Sequence, residues 1–163
     1  IEGCTIAAEH YDGHCQISGD AGRIEGARNR LEAREIVVSP LPVAHALHSQ
    51  ALDQADAAFA EGARDLAAMD SVIPAYSCVD GRPVTRYDAD RLWRAWRAPV
   101  DFRRAVEVLE GEGRCRFVDL GPAGDLAAML RHGYTGRVEC ATSIDRFGHD
   151  STRLSYLIAE LRT

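Results

Sequence analysis

The order of apolar and polar residues in the first quarter of the chain predicts a hairpin, a helix and a further strand. Residues 5–8 and 15–18 alternate on either side of an Asp-Gly pair, as in a β-hairpin. The next stretch, "GDAGRIEGARNRLEAR", has helical periodicity with Asp20 as a suitable N-cap. "EIVVSPLPV" is rich in β-branched residues, and Pro40 and Pro42 suit an edge strand or an exit from a sheet. This order predicts β-β-α-β up to about residue 42.

The middle of the chain is dominated by helical periodicity. The longest predicted helix covers residues 49–68, and a short strand is predicted at about 75–79, before a second Asp-Gly turn. "DADRLWRAWRAPV" predicts an amphipathic helix that ends at Pro99, and Asp101 is a suitable N-cap for the helix after it.

The last third repeats a strand–helix order. "RCRFVDLG" predicts a buried strand, and a helix is predicted to start near Pro122. A strand at about 137–142 and an apolar-striped helix, "DSTRLSYLIAELR", follow. Alternating strands and helices predict an α/β fold.

Composition and charge exclude several functions. A chain of 163 residues fits one domain, or a large and a small lobe. The net charge of −6 argues against a nucleic-acid partner, and no apolar run approaches the ~20 residues that cross a bilayer. The chain starts with Ile1, which suggests a piece of a longer protein. All 19 basic residues are Arg, so no lysine chemistry is available.

Cysteine usage predicts a reduced, cytoplasmic protein. The five cysteines are odd in number, and none of them forms a Cys-x-x-Cys pair. The spacing therefore supports neither a disulfide framework nor a zinc site.

His45 and His48 stand at the predicted junction between strand and helix. As a metal half-site they would need a third ligand, and the dense "HYDGHC" cluster is the available source. No paired spacing fixes such a ligand, so no metal is predicted. His48 could instead be a general base on a rigid junction with Ser49 as N-cap, or a loop histidine without function.

Nucleophiles are less well marked. Gly-x-Ser-x-Gly does not occur in the 163 residues. Cys78, after a predicted strand, could be a thiolate paired with a histidine or an ordinary structural cysteine.

Five blocks, in order, resemble the acyltransferase domains of polyketide synthases and the related malonyl-CoA:acyl carrier protein transacylases. "HALHS" resembles the family's histidine motif, His-Ala-Phe-His-Ser in many malonyl-selective members. The other blocks are "IAAEHYDGHCQISGD", "IPAYSCVDGRPV", "WRAWRAPVDFRRAVEVL" and "RFVDLGPAGDLAAML". The resemblance covers residues 5 to about 130 and identifies the chain as the C-terminal portion of such a domain.

The resemblance implies a fold in two parts. Residues 1–42 would be most of a ferredoxin-like small lobe, and residues 43–163 the C-terminal part of an α/β-hydrolase-like acyltransferase lobe. The last 30 residues match the family poorly and are interpreted from their pattern alone.

The implied activity is loading of a malonyl-type extender unit from coenzyme A onto the phosphopantetheine of an acyl carrier protein, as in antibiotic biosynthesis. No bound cofactor is implied. His48 would be the catalytic base, oriented by the backbone carbonyl of Cys78. His45, Ala46 and Leu47 would line the acyl pocket and set selectivity, with Leu47 in the place of the usual Phe.

The resemblance also places essential groups outside this chain. The nucleophilic serine, the glutamine of the oxyanion hole and the arginine for the malonyl carboxylate precede the small lobe in the family. The expected partners are thus the N-terminal half of the domain, the carrier protein and neighbouring synthase domains, and the chain alone should be inactive. The alternatives are a non-catalytic docking or scaffold module of a synthase and a thiol hydrolase built on Cys78 and His48.

Overall fold

A computed structural model of the chain describes residues 2–144 and 150–161. They form a mixed α/β fold in two compact units, residues 1–106 and 107–163. These two units do not test the lobe boundary predicted after residue 42, which stays a prediction. Among the described residues, no helix is both long and apolar enough to cross a membrane.

The N-terminal hairpin and helix are confirmed. Strands β1 (Thr5–Tyr11) and β2 (His14–Ser18) pair antiparallel around the Asp-Gly turn. Gly13 has a φ of 86°, which few other residues adopt at low cost. Helix α1 (Ala21–Glu32) begins at Asp20, whose carboxylate accepts a hydrogen bond from the backbone of Arg23 at 2.9 Å.

The strand expected in "EIVVSPLPV" does not form. Residues 36–43 have no strand partner among the described residues, and Val37 is 95% exposed. Pro40 and Pro42 each lack the N–H that a ladder requires, so this segment can offer only part of a strand's hydrogen bonds.

The long helix expected at 49–68 is shorter and divided. A 3-10 helix covers Gln50–Ala55, and α2 continues it over Asp56–Gly62. After Gly62 the backbone leaves the α-helix in a series of turns. Glycine favours such an end because it stabilises a helix poorly.

The next elements bring the end of a helix beside the first sheet. Strands β3 (Met69–Tyr76) and β4 (Pro83–Tyr87) form a hairpin, of which the sequence predicted only part of the first strand. Helix α3 (Ala89–Arg97) begins at its N-cap Asp88. The unpredicted strand β5 (Val100–Asp101) then pairs parallel with β1.

The second unit contains a parallel strand pair. Helix α4 (Phe102–Gly111) begins in the first unit. The carboxylate of Asp101 caps it by accepting a hydrogen bond from the backbone N–H of Arg104 at 2.9 Å. The remaining elements are β6 (Arg116–Asp119), α5 (Asp125–Gly133), β7 (Glu139–Thr142) and α6 (Asp150–Leu161). Strands β6 and β7 are parallel, with α5 as their crossover.

The turn between β6 and α5 is built around a buried carboxylate. Asp119 is 7% exposed and accepts hydrogen bonds from the backbones of Gly121, at 2.8 Å, and Ala127, at 3.0 Å. Helix α5 starts at Asp125, three residues after Pro122, because the intervening Gly124 has a left-handed backbone.

Candidate functional site

The candidate site is the turn that carries both histidines, which we call the His48 loop (residues 45–49). His45 and Leu47 are exposed, whereas Ala46 and His48 are half-buried. The backbone of Leu47 donates to the carbonyl of His45 at 2.9 Å, so the loop is a tight turn. His48 itself has a φ of 55°, in the left-handed region that non-glycine residues seldom occupy.

The C-terminal end of α3 receives His48. The backbone N–H of His48 donates to the carbonyl of Trp96 at 3.0 Å, one of the last carbonyls that a helix leaves without a partner inside it. Pro99 prevents α3 from continuing and disfavours a helical conformation at Ala98, which has a ψ of 151°. The carbonyl of Ala98 thus leaves the helical direction and lies 3.0 Å from Nδ1 of His48.

This contact determines the tautomer of the imidazole. A carbonyl oxygen can only accept, so neutral His48 carries its proton on Nδ1 and donates it to Ala98. The lone pair of the neutral ring then lies on Nε2, the arrangement in which a histidine accepts a proton from a nucleophile.

Ser49 holds the other side of the His48 loop. Its hydroxyl donates to the carbonyl of Ala46 at 2.7 Å and accepts from the backbone N–H of Ala51 at 3.2 Å. The residue is 4% exposed, so both hydrogen bonds are shielded from water. Ser49 is the N-cap of the 3-10 helix, as the sequence predicted for the helix at this position.

Aromatic packing and one ion pair join the two helices that flank the loop. The ring of Phe59 lies 5.1 Å from that of Trp93 and 6.0 Å from that of Trp96, measured between ring centroids. The Arg97 guanidinium contacts both carboxylate oxygens of Asp53, with Nη2 at 3.1 Å from Oδ2. These contacts connect the 3-10 helix and α2 to α3.

A different carbonyl from the expected one faces the imidazole. The backbone carbonyl of Cys78 accepts from the N–H of Asp101, whereas the carbonyl on Nδ1 of His48 is that of Ala98. The reason is Pro99, which frees the Ala98 carbonyl beside the loop.

The Cys78 thiol does not have the environment of a reactive thiolate. Burial and then the nearby Asp101 carboxylate raise the pKa of Cys78. A raised pKa disfavours the thiolate that a thiol hydrolase would need.

The "HYDGHC" cluster forms a histidine pair. His10 Nδ1 and His14 Nδ1 lie 3.2 Å apart, and His14 stacks on Tyr11 with ring centroids 4.9 Å apart. Burial and then His14 lower the pKa of His10. No group of three or more His, Cys, Asp or Glu side chains suited to a metal occurs among residues 2–144 and 150–161.

Sequence reasoning missed Trp96, Ala98 and the Asp53–Arg97 ion pair. Pro99 was the available signal, because a helix stopped by proline leaves carbonyls free at its end. The ion pair joins positions 44 residues apart, and no sequence pattern indicated it.

Comparison with known proteins finds relatives of this chain, although no family model matches it. The polyketide biosynthesis acyltransferase homolog PksD of Bacillus subtilis is 37% identical over 122 residues, which are 75% of this chain and 38% of PksD. The polyketide biosynthesis acyltransferase homolog BaeD of Bacillus velezensis is 29% identical over 80% of this chain and 40% of its own length. The chain thus spans about two fifths of these relatives.

A solved acyltransferase domain has the same fold. The domain from the second module of the salinomycin polyketide synthase is 25% identical, with a TM-score of 0.86 over 99% of this chain and 38% of that one. This agreement confirms the mixed α/β fold of the sequence prediction.

Proposed function

Because the chain belongs to the acyltransferase family of polyketide synthases, we propose that it supplies the general base, His48, for acyl transfer to a carrier protein. One observation carries the proposal: Nδ1 of His48 lies 3.0 Å from the Ala98 carbonyl, which leaves Nε2 as the proton acceptor. The chain spans only part of its relatives, so the nucleophilic serine would come from the rest of the acyltransferase domain.

The proposed reaction has two acyl transfers. Nε2 of His48 removes the proton of the serine hydroxyl while the serine oxygen attacks the thioester carbonyl of malonyl-CoA. The carbon–sulfur bond breaks, and coenzyme A leaves as a thiol after taking a proton from the imidazolium. The phosphopantetheine thiol of the carrier protein then attacks the malonyl-serine ester in the same way and regenerates the serine.

The malonyl unit is the proposed substrate because of the His-Ala-x-His pattern. A solved relative in fold bears the name malonyl CoA-acyl carrier protein transacylase, from Clostridium perfringens. We assign His45, Ala46 and Leu47 to the wall of the acyl pocket, since they stand in the turn directly before His48. The small lobe at 1–42 and the acyltransferase lobe at 43–163 are part of the same proposal, as is a cytoplasmic location.

The test requires the serine-bearing part as well as this chain. We would reconstitute the domain by joining the chain to the preceding part of its own gene product, and incubate it with malonyl-CoA. Intact mass should show a malonyl adduct that a carrier protein then removes. His48→Ala should form the adduct far more slowly, and equal rates for both proteins would exclude His48 as the base. The 163-residue chain alone should show no transfer; turnover by it would contradict the assignment of the serine elsewhere.

A docking module of a synthase is the second candidate, since exposed apolar side chains would suit a partner surface, whether the partner is a carrier protein or the rest of the acyltransferase domain. Val37, Val72 and Ile73 are 95%, 96% and 77% exposed. A docking module would bind a carrier protein with unchanged affinity after His48→Ala and would form no adduct in the reconstituted domain. The acyltransferase proposal expects adduct formation that depends on His48.

A further inference from the structure

We propose that the Asp53–Arg97 ion pair positions His48, by holding the 3-10 helix against the C-terminal end of α3. The inference rests on the proposed function, in which His48 is the base. Asp53 and Arg97 would act through the geometry of His48 and would not touch the substrate, so they are positioning residues.

The two charged residues stand directly beside the segments that meet at the imidazole. Arg97 is followed at once by Ala98, whose carbonyl accepts from Nδ1 of His48. Asp53 lies in the 3-10 helix whose N-cap, Ser49, immediately follows His48. The ion pair therefore connects the segment that carries His48 to the segment that carries the Ala98 carbonyl. It does so within a few residues of the hydrogen bond between these two groups.

The geometry of the pair restrains rotation as well as distance. Arg97 uses Nε and Nη2 on the two carboxylate oxygens of Asp53, a two-point contact between planar groups. Such a fork fixes orientation, which a lysine in place of Arg97 would not do. The hydrogen bond from Arg97 also lowers the pKa of the Asp53 carboxyl, as expected when the pair favours the charged carboxylate.

His48 needs such a restraint because its backbone conformation is unfavourable. A φ of 55° persists in a non-glycine residue only where the surrounding contacts demand it. Two hydrogen bonds hold His48: one from its backbone N–H to the carbonyl of Trp96, and one from Nδ1 to the carbonyl of Ala98. Both acceptor carbonyls lie at the C-terminal end of α3. A shift of α3 away from the His48 loop would therefore break both hydrogen bonds at once.

Global stability is a poor test of this proposal. The Asp53 side chain is 60% exposed, and exposed ion pairs contribute little to the free energy of unfolding. The informative quantities are the tautomer of His48 and the rate of acyl transfer at saturating substrate.

The experiment compares Asp53→Asn, Arg97→Gln and the double variant with the wild type. Nitrogen-15 NMR of the 163-residue chain should show His48 of the wild type protonated on Nδ1 when neutral, and a mixture of tautomers in each variant. In the reconstituted domain, kcat should fall about 10-fold with KM unchanged, given that a 1 Å misplacement of a catalytic group can cost 10²-fold. The double variant should be no worse than either single variant, because both single changes remove the same contact.

A matched control is the Arg28–Glu32 ion pair on α1, with a nitrogen–oxygen distance of 2.9 Å and both side chains exposed. Arg28→Gln should leave the His48 tautomer and kcat unchanged. An unchanged tautomer and kcat in Asp53→Asn and Arg97→Gln would overturn the positioning role. Additive losses in the double variant would overturn it as well.

The two proposals fail in distinguishable ways. If acyl transfer requires His48 but neither ion-pair variant changes its tautomer or rate, the positioning role is wrong and the acyltransferase function stands. If the tautomer shifts in the variants but His48→Ala transfers acyl groups normally, the ion pair positions a histidine that is not the base.

Discussion

The left-handed backbone of His48 makes an unusual stability prediction: His48→Gly should be more stable than His48→Ala. Both variants lose the imidazole and therefore the hydrogen bond from Nδ1 to the Ala98 carbonyl, so this loss cancels between them. The backbone bond from residue 48 to Trp96 remains possible in both. The two variants differ in the free-energy cost of holding residue 48 at a φ of 55°.

The size of the difference follows from two opposing effects. A left-handed backbone costs an L-residue about 1–2 kcal/mol, which glycine does not pay. Glycine loses more backbone entropy on folding, and this costs roughly 0.5–1 kcal/mol relative to alanine. His48→Gly should thus exceed His48→Ala by about 1 kcal/mol in the free energy of unfolding, measured by urea denaturation followed by circular dichroism.

Ala128→Gly is the control, because this exposed alanine lies inside α5. There the same exchange should destabilise the chain by about 1 kcal/mol. If His48→Gly is less stable than His48→Ala, by an amount similar to the control, residue 48 is not held in the left-handed region and the description of the His48 loop is wrong.

Three further predictions concern other contacts. Ser49→Ala should lower the free energy of unfolding by about 1 kcal/mol, since it removes the N-cap of the 3-10 helix; an unchanged urea midpoint would contradict the capping role. Gly124→Ala should cost about 2 kcal/mol in the same assay, because a Cβ would lie 2.8 Å from Cγ2 of Thr142 at a φ of 68°; a neutral effect would show that the close approach is absent. Cys78 should react with iodoacetamide at pH 8 more slowly than the exposed Cys15, because burial raises its pKa; equal rates by peptide mass mapping would contradict this.

Local signals in the sequence predicted the elements that local chemistry determines. Asp20 and Asp101 cap the helices expected of them, and Pro99 ends α3. The Asp-Gly pair at residues 12–13 makes the expected hairpin. In each case, a side chain or ring restricts the backbone within about three residues, so the sequence pattern contains the cause.

Elements that depend on distant partners were predicted less well. "EIVVSPLPV" has the composition of a strand but pairs with no strand in the described part of the chain. The two-residue strand β5 exists because β1 lies beside it, with Ala8 opposite Val100, and no periodicity can indicate so short a strand. In both cases, pairing with a distant strand decides whether a strand forms, and the strand propensity of the segment does not.

The candidate site shows the same division. The position of His48 at the start of a helical segment followed from the pattern, and the role proposed for it rests on the family resemblance. The acceptor for Nδ1 did not, because Ala98 meets His48 only through the fold, across 50 residues. Any residue provides a backbone carbonyl, so its identity leaves no mark on the sequence.

Chemical rescue tests the central claim, that His48 is a general base, most directly. In the reconstituted domain, the rate of malonyl-enzyme formation would be measured by rapid quench for the wild type and for His48→Ala, with and without added imidazole. The account predicts a fall of roughly 10²–10⁴-fold in His48→Ala and partial recovery as the imidazole concentration rises. A His48→Ala protein that forms the malonyl-enzyme as fast as the wild type would contradict it.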